Sequence, residues 1–548
     1  MKKSKLSYSR LVLTILLGML LGLISCTSKF EEFNTNDVGL SKQLLYSDFN
    51  YFGGLYPSIE MTYTAERNMN QMLFNNYFVG GSFGGYVGSN APNPRYGNYQ
   101  MNMPSWDQYH IFNIGYNSIM SPIWELKRRE VAKVAPDFWA IAKILKVAGM
   151  SVLVDYYGPI PYSQYGKGGT SVTYDKQEDI YNSFFTDLDS AVIVLKDYMT
   201  KNPGAKPFKS FDVMFSGDYN KWVRYANTWR LRLAMHIVKK DPAKAKLVAE
   251  KAVAEGVMTT NSDNALINGI GTYQNSLWVA ALSFVNIMSN AAIVSFMNGY
   301  NDPRISKYFS KSTYPGFTDI YVGVRNGAYI QKRQTQYSNI SPDFASQYSP
   351  MQVMFAAEAY FLRAEGALRG WNMGGGTAKE YYENGISTSL SQYGFSSAAS
   401  GYINNTTGKP ADYIDPAYPI NNIPALSDIG VKWDDAASNE RKLERIITQK
   451  WIAIFPDGTE AWTAFRRTGY PKLFPVQVNN SAGLISTEIQ IRRQPYPLTE
   501  KNNNPTGYAS GIALLKSEKG ASAPGETTNT GDDTGGTRLW WDVGGPNF

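Results

Sequence analysis

The sequence predicts a mainly α fold, built of degenerate tetratricopeptide-like helix pairs that support a face of long loops. Three observations predict it. Apolar residues recur at spacings of three and four over several long segments, the period of a helix with one buried face. These segments fall into pairs of roughly 34 to 40 residues, the length of helix–turn–helix units that stack side by side. Between the pairs lie stretches rich in Gly, Asn, Ser, Tyr and Pro, at 68–105, 258–278, 298–350, 394–433 and 475–548. Loops of that length in a compact protein usually carry function. No strict repeat consensus is visible, so the repeats are degenerate.

The chain opens with a leader. Lys2, Lys3, Lys5 and Arg10 form a basic start, and Leu11 to Ile24 is an apolar run broken by Thr14, Gly18 and Gly22. A membrane-spanning helix needs about 20 apolar residues, so residues 1–25 read as a signal peptide. Leu23-Ile24-Ser25-Cys26 resembles the lipobox of bacterial lipoproteins, in which the Cys is acylated and becomes the first mature residue. Cys26 is the chain's one cysteine, and lipidation is its expected role. A buried or incidental thiol is the alternative. Residues 26–50 read as a lipidated tether, and Lys29, Glu31 and Glu32 loosely resemble a surface-export signal. Residues 51–548 read as one α-rich domain with loop insertions.

The helix pairs follow in order. Trp139–Tyr157 joins Lys176–Tyr198 through Gly158-Pro159-Ile160-Pro161, and Asp175 and Glu178 have capping-box spacing. From Asp218 to Lys240, Trp222, Ala226, Trp229, Leu233 and Ile237 make one apolar face, with Asp218 as N-cap. Trp222, Trp229 and Leu233 are therefore expected in the core. Asp241-Pro242 stops this helix and starts the next, which ends at Gly256. Met351–Gly370 pairs with Thr377–Tyr393 across a glycine-rich connection, 371–376, that cannot stay helical. A fourth pair spans Asn439–Phe455 and Thr459–Arg467.

Composition narrows the function. Without a second Cys there is no internal disulfide and no Cys-based zinc site. The two histidines, His110 and His236, give poor odds to His-rich metal sites and most His-dependent catalysis. Loss of the leader's four cations lowers the formal charge from +7 to +3, which argues against nucleic acid as a partner. The 38 Tyr, 26 Phe and 12 Trp exceed ordinary core needs. Tyr and Trp offer an apolar face with a polar handle, which suits a binding surface.

The segments taken together resemble the SusD/RagB family of outer-membrane nutrient-binding lipoproteins. The matching stretches begin with Tyr156-Tyr157-Gly158-Pro159-Ile160-Pro161-Tyr162-Ser163 and Tyr174-Asp175-Lys176-Gln177-Glu178-Asp179-Ile180-Tyr181. Lys221–Asn227 with Leu231–Met235, Ala359–Gly370, and Gln449-Lys450-Trp451 through Phe455–Gly458 to Arg466–Pro471 follow. Arg492–Pro497 and Leu539-Trp540-Trp541-Asp542 complete them, in family order. The resemblance implies four tetratricopeptide-like units under a variable face. It implies a TonB-dependent, SusC-like transporter as partner and capture of oligosaccharides, or of peptides in some branches. No binding residue carries over by motif, and no cofactor is expected.

One catalytic pattern occurs. Gly80-Gly81-Ser82-Phe83-Gly84 matches the nucleophile elbow G-x-S-x-G, which needs a strand before and a helix after. The run from Gly85 to Pro92 is too glycine-rich to start that helix, so a loop close to ligand is the better reading. No H-E-x-x-H pair, Walker A loop, dinucleotide fingerprint or EF-hand loop is present. Asp434-Asp435 and Glu31-Glu32 read as solvated charge.

The loops carry the candidate site. Asn68 to His110 holds Phe83, Tyr86, Asn90, Asn93, Arg95, Tyr96, Tyr99, Asn102, Trp106 and Asp107, interleaved with Gly and Pro. Tyr273 to Tyr337 adds Tyr273, Trp278, Tyr300, Tyr314, Tyr321, Arg325, Tyr329 and Tyr337. Sugar rings have apolar C–H faces that stack on aromatic rings, and hydroxyl rims that need both donors and acceptors. Asn supplies both, Arg a fork of donors, and Asp acceptors. The expected ligand residues are Phe83, Tyr86, Asn90, Arg95, Tyr99, Trp106, Tyr273, Trp278, Tyr314, Tyr321 and Tyr329. The competing reading is that these rings pin the loops to the scaffold. Lying outside the helical pattern, Tyr86 and Tyr99 are expected to have little packing demand. The expected function is glycan capture at the cell surface without chemistry. A peptide-binding member of the same family and a surface hydrolase are the alternatives.

Overall fold

The computed structural model describes residues 46, 48–61, 77–92, 97–100, 112–169, 171–268 and 273–548. Cys26 and the tether up to residue 45 lie outside them. Two compact units are distinguished, Met1–Gly53 and Gly54–Phe548. In the first, Asn50–Gly53 is a single helical turn, and the Asn50 N–H donates to Asp48 at 3.0 Å.

The second unit is helical, with four short strands among the described residues. It runs in order through β1 (Val87–Ser89), α1 (Ser121–Arg128), α2 (Pro136–Tyr157), α3 (Gln177–Lys201), α4 (Tyr219–His236) and α5 (Pro242–Glu255). After these come β2 (Ala265–Ile267), β3 (Ile287–Ser289), α6 (Ala291–Tyr300), β4 (Met351–Met354), α7 (Ala356–Leu368) and α8 (Ala378–Gln392). The last are α9 (Asn439–Ala453), α10 (Gly458–Thr468) and α11 (Pro505–Glu518). Among the described residues, no helix is long and apolar enough to cross a membrane.

Three of the four expected pairs form, and the helices of the fourth, α9 and α10, pack chiefly on other elements. α2 packs on α3, α4 on α5 and α7 on α8, and the pairs stack through α3 on α4 and α4 on α7. α9 packs chiefly on α7 and α8, and α10 on the short helix Gly80–Phe83. Local chemistry sets the boundaries. Asp218 accepts the N–H groups of Asn220 and Lys221 to open α4, and Asp241 accepts that of Lys244 to open α5. Gly256, at φ 101°, ends α5, a conformation that costs glycine no Cβ clash.

Three boundaries differ from expectation. Asp175 does not cap α3. Its carboxylate accepts instead from the Tyr162 and Ser163 N–H groups, both at 2.9 Å, and so closes the turn after α2. Met351–Met354 is a strand rather than helix, because it pairs with β2. The Ala356 N–H then donates to Asn264 Oδ1, and α7 starts there. Finally, the 475–548 stretch contains α11, opened by Asn504 as cap and Pro505 at the first position.

The scaffold core is apolar and ionic at once. Trp222, Trp229 and Leu233 are buried as expected, and so are Arg230, Arg232 and His236 on the other sides of α4. Arg232 Nε donates to Glu358 at 2.8 Å, and Arg230 pairs with Asp189 and Glu255. His236 lies between Glu460 at 2.9 Å and Asp155 at 3.3 Å. Burial opposes a charge on that ring, but the two carboxylates outweigh it and raise its pKa. Trp541, near the C-terminus, donates to Asp155 at 3.0 Å and so ties the last residues to this core.

Candidate ligand-binding face

Two loop segments far apart in sequence are sewn together. β1 pairs antiparallel with β3, Val87 opposite Ser289 and Ser89 opposite Ile287. Asn290 strengthens the seam: its N–H donates to the Tyr86 carbonyl at 2.9 Å and its amide to the Val87 carbonyl at 3.0 Å. The Gln334 N–H reaches the Asn90 carbonyl at 2.9 Å, and the Asn90 amide reaches the Val285 carbonyl at 2.9 Å. The 77–92 and 285–334 segments therefore share one structure.

A third segment, 413–421, supplies the clamp. The Tyr329 N–H donates to Asn421 Oδ1 at 2.7 Å, and Asn421 Nδ2 donates back to the Tyr329 carbonyl at 3.1 Å. Asn421 Nδ2 also reaches Asp415 at 2.9 Å. Asp415 accepts the hydroxyls of Tyr337 at 2.6 Å and Tyr413 at 3.0 Å. Burial, and with it the Asp415 carboxylate, raises the Tyr337 pKa, so that hydroxyl stays a donor. Arg325 is buried and donates to the carbonyls of Pro475 and Asn421 at 3.0 and 3.1 Å.

These contacts hold a shelf of rings over a small apolar cluster. Met288, Val322, Val324, Ala328, Ile330 and Tyr337 form the cluster, and Tyr314, Phe317 and Tyr418 pack on it half-buried. Tyr329 stands edge-on to Tyr418, with centroids 5.7 Å apart, and is 41% exposed. The Tyr418 hydroxyl accepts the N–H groups of Gln331 and Lys332, both at 3.3 Å. Ile320 and Ile420, next to Tyr321 and Asn421 in sequence, are exposed as well.

The expected residues separate into three sets. Arg95 and Trp106 lie outside the described residues. Tyr314, Tyr321 and Tyr329 are accessible and belong to the shelf segment, Tyr321 through its carbonyl bond to Asn298. Tyr273 and Trp278 are half-buried; the short turn carrying Trp278 is capped by Asn275, whose amide reaches Ser349. The third set is inside. Phe83 packs on Tyr99 and Trp462, with centroids 6.2 and 5.1 Å apart. Tyr86 is 1% exposed; it stacks on Trp451 at 5.5 Å, meets Phe455 edge-on, and donates its hydroxyl to the Trp451 carbonyl. Tyr99 is 2% exposed and Asn90 fully buried. Tyr86 and Tyr99 thus carry full packing demand, contrary to expectation, because the glycine-rich loop around them is folded against α9 and α10. The sequence reading missed Tyr418 with Asp415 and Asn421. Their signal is Asp415-Pro416-Ala417-Tyr418-Pro419, a proline-flanked Tyr in the 394–433 loop.

The elbow pattern has no elbow. Ser82 is buried in the helix Gly80–Phe83, and residues 77–79 before it are helical rather than a strand. Among the described residues, no hydrogen bond joins Ser82 to His236, which is held by Glu460, Asp155 and Tyr181.

The family model described as Susd and RagB outer membrane lipoprotein matches residues 32–542. The chain belongs to this SusD-like family. A chitin-binding SusD homologue from Flavobacterium johnsoniae is 40% identical over 91% of this chain and all of that one, with a TM-score of 0.84. A SusD homologue from Bacteroides vulgatus ATCC 8482 is 35% identical, covers 91% of this chain and 99% of its own, and has a TM-score of 0.81. One from Bacteroides thetaiotaomicron VPI-5482 is 34% identical, covers 90% and 99%, and also has a TM-score of 0.81. No curated protein is similar enough to count as a match. The SusD-like architecture accounts for the stacked pairs, and the loop face is where this SusD-like chain displays its accessible rings.

Proposed function

We propose that this chain is a surface lipoprotein, anchored through Cys26, that captures oligosaccharides and delivers them to a SusC-like, TonB-dependent transporter without acting on them. The observation that carries the reading is the shelf in which Tyr314, Phe317 and Tyr418 pack on the apolar cluster and Tyr329 stands edge-on to Tyr418. Rings of this kind offer faces to sugar C–H groups, and the exposed Gln331 side chain, which donates to the Tyr329 hydroxyl, and the exposed Lys332 ammonium supply polar groups beside them. Family membership and the chitin-binding relative support the same ligand class. N-acetylglucosamine oligomers are accordingly the first ligands to try. The buried placement of Ser82 supports a binding role over hydrolysis.

The test is a screen of the soluble chain beginning at Thr27 against N-acetylglucosamine hexamer, other glycans and a peptide library. Saturable binding of a glycan, with the ligand recovered unchanged, is expected. Binding of peptides alone would replace the reading with the peptide-binding branch. Conversion of a glycan by the purified chain would restore the hydrolase.

A further inference from the structure

A second concave site lies away from the shelf. It is a groove of about 530 Å³, within the range of small-molecule sites. Its walls are the helical stretch 112–128, the loop after α2, and the turn between the short helix Leu498–Asn503 and α11. None of the shelf residues lines it.

Three rings shape the groove. Tyr116 and Tyr165 stack with centroids 5.8 Å apart and planes at 25°, and the Tyr116 hydroxyl is anchored on the Pro161 carbonyl at 2.9 Å. Trp124 lies against the backbone at Gly166, where a Cβ would come within 2.4 Å of the indole, so that close approach requires glycine. The loop's far end is fastened by Asn504, which accepts the Val172 N–H at 3.2 Å and donates to its carbonyl at 2.9 Å. The wall is thus held by contacts within the fold.

Part of its polar lining is unspent among the described residues. The Asn113 amide, the Tyr165 hydroxyl and the Trp124 indole N–H have no partner among the described residues. Gln164 uses its amide N–H on Ser163, and its side-chain carbonyl oxygen has no partner among the described residues. Glu500 accepts the Tyr174 hydroxyl at 2.7 Å and the Asn504 amide at 3.4 Å on one oxygen, and its other oxygen has no partner among the described residues. Rings beside a mixed set of free donors and acceptors match a ligand that is apolar on its faces and hydroxylated on its rim. The lining holds one carboxylate and no cation, so it favours a neutral ligand over an acidic one.

We propose that this groove is a second saccharide-binding site, which takes a segment of a neutral oligosaccharide. The choice of ligand class rests on the glycan reading above. Two sites on one chain would hold a long glycan with a higher effective concentration than either alone.

The test is calorimetry with N-acetylglucosamine hexamer, cellohexaose and maltohexaose on the wild type, Tyr165→Ala, Gln164→Ala and Tyr329→Ala, each first checked for an unchanged melting curve. Two sites are expected in the wild type. Tyr165→Ala should abolish or weaken one by about tenfold or more, a hot-spot loss of 1.4 kcal/mol or above. Gln164→Ala should weaken the same site less, and Tyr329→Ala should spare it. A single site that is lost in Tyr329→Ala and untouched in both groove variants would overturn the groove and leave the shelf. A single site lost in Tyr165→Ala and untouched in Tyr329→Ala would support the groove and overturn the shelf. No binding of any of the three glycans would overturn both.

Discussion

Tyr86 and Tyr329 make a useful pair. Both sit in glycine- and asparagine-rich loops, and both belong to the same sewn face. Tyr86 is enclosed by Trp451 and Phe455, whereas Tyr329 is clamped through its backbone by Asn421, with its ring edge-on to Tyr418 and its hydroxyl accepting the Gln331 amide. The first ring is spent on the scaffold; the second is held in place yet left accessible. The difference teaches that the clamp is what leaves a ring both fixed and accessible, as the proposed binding surface requires. A ring fixed through its backbone loses little freedom on binding, which is the condition for a favourable contact.

The comparison extends to the scaffold, where the largest effects should be found. Trp222→Ala removes a fully buried ring that meets Phe208, Phe215 and Tyr225 edge-on and donates to Asp212 at 2.9 Å. Its expected cost is about 3–5 kcal/mol, read as a lower denaturation midpoint. An unchanged midpoint would mean that α4 is not part of the core. Tyr86→Ala should also act on stability first, by roughly 3 kcal/mol or more. Tyr86→Phe, which deletes only the bond to the Trp451 carbonyl, should cost about 1 kcal/mol. If Tyr86→Ala melted like the wild type but lost glycan binding, Tyr86 would belong with Tyr329 and the contrast would collapse.

The ionic core gives a pH signature of comparable size. Burial raises the Glu365 pKa, but Arg467, at 2.6 and 2.7 Å, and Arg369 outweigh it and hold it at about 2. A carboxylate held below its unfolded value stabilises the fold above that value and loses the contribution as pH falls. The window is therefore from about pH 4.5 down to about 2, and the contribution is on the order of 3 kcal/mol. In Glu365→Gln, the stability deficit against wild type should be widest near neutrality and should narrow through that window. A deficit independent of pH would remove Glu365 as the titrating group.

Sequence logic reached the scaffold through local signals. Asp218, Asp241-Pro242 and Gly256 act within a few residues of themselves, so their roles are legible without the rest of the chain. Where a distant partner decides, they are not. Asp175 turns away from α3 to close the Tyr162–Ser163 turn, and Met351–Met354 becomes a strand because β2 lies beside it. α11 was hidden by its glycines. At Gly511 a Cβ would come within 2.3 Å of the Tyr174 ring, so a residue that looks like loop is a close helix contact. On α4, Arg230, Arg232 and His236 are buried with carboxylates drawn from five other helices, α2, α3, α5, α7 and α10, which no local pattern announces.

The face was legible as a region and illegible ring by ring. Composition marks 68–105 and 298–350 as aromatic loops, and the bonds from the Gln334 N–H to the Asn90 carbonyl and from the Asn326 amide to the Ser82 carbonyl bring parts of both together. Whether a given Tyr is spent inside or left outside depends on long-range neighbours such as Trp451 for Tyr86 and Asn421 for Tyr329. Neither has a sequence signature at the ring itself.

The most direct test of the account is calorimetry of N-acetylglucosamine hexamer, or whichever glycan the screen selects, on Tyr329→Ala beside Tyr86→Phe. Tyr329 is an exposed side chain, so its truncation should change stability by less than about 0.5 kcal/mol. As a stacking contact it should cost about 1–2 kcal/mol of binding at its site, roughly a tenfold loss. Tyr86→Phe should leave that affinity unchanged. Wild-type affinity in Tyr329→Ala, or the loss appearing in Tyr86→Phe instead, would contradict the claim that the clamped shelf is the ligand-binding surface.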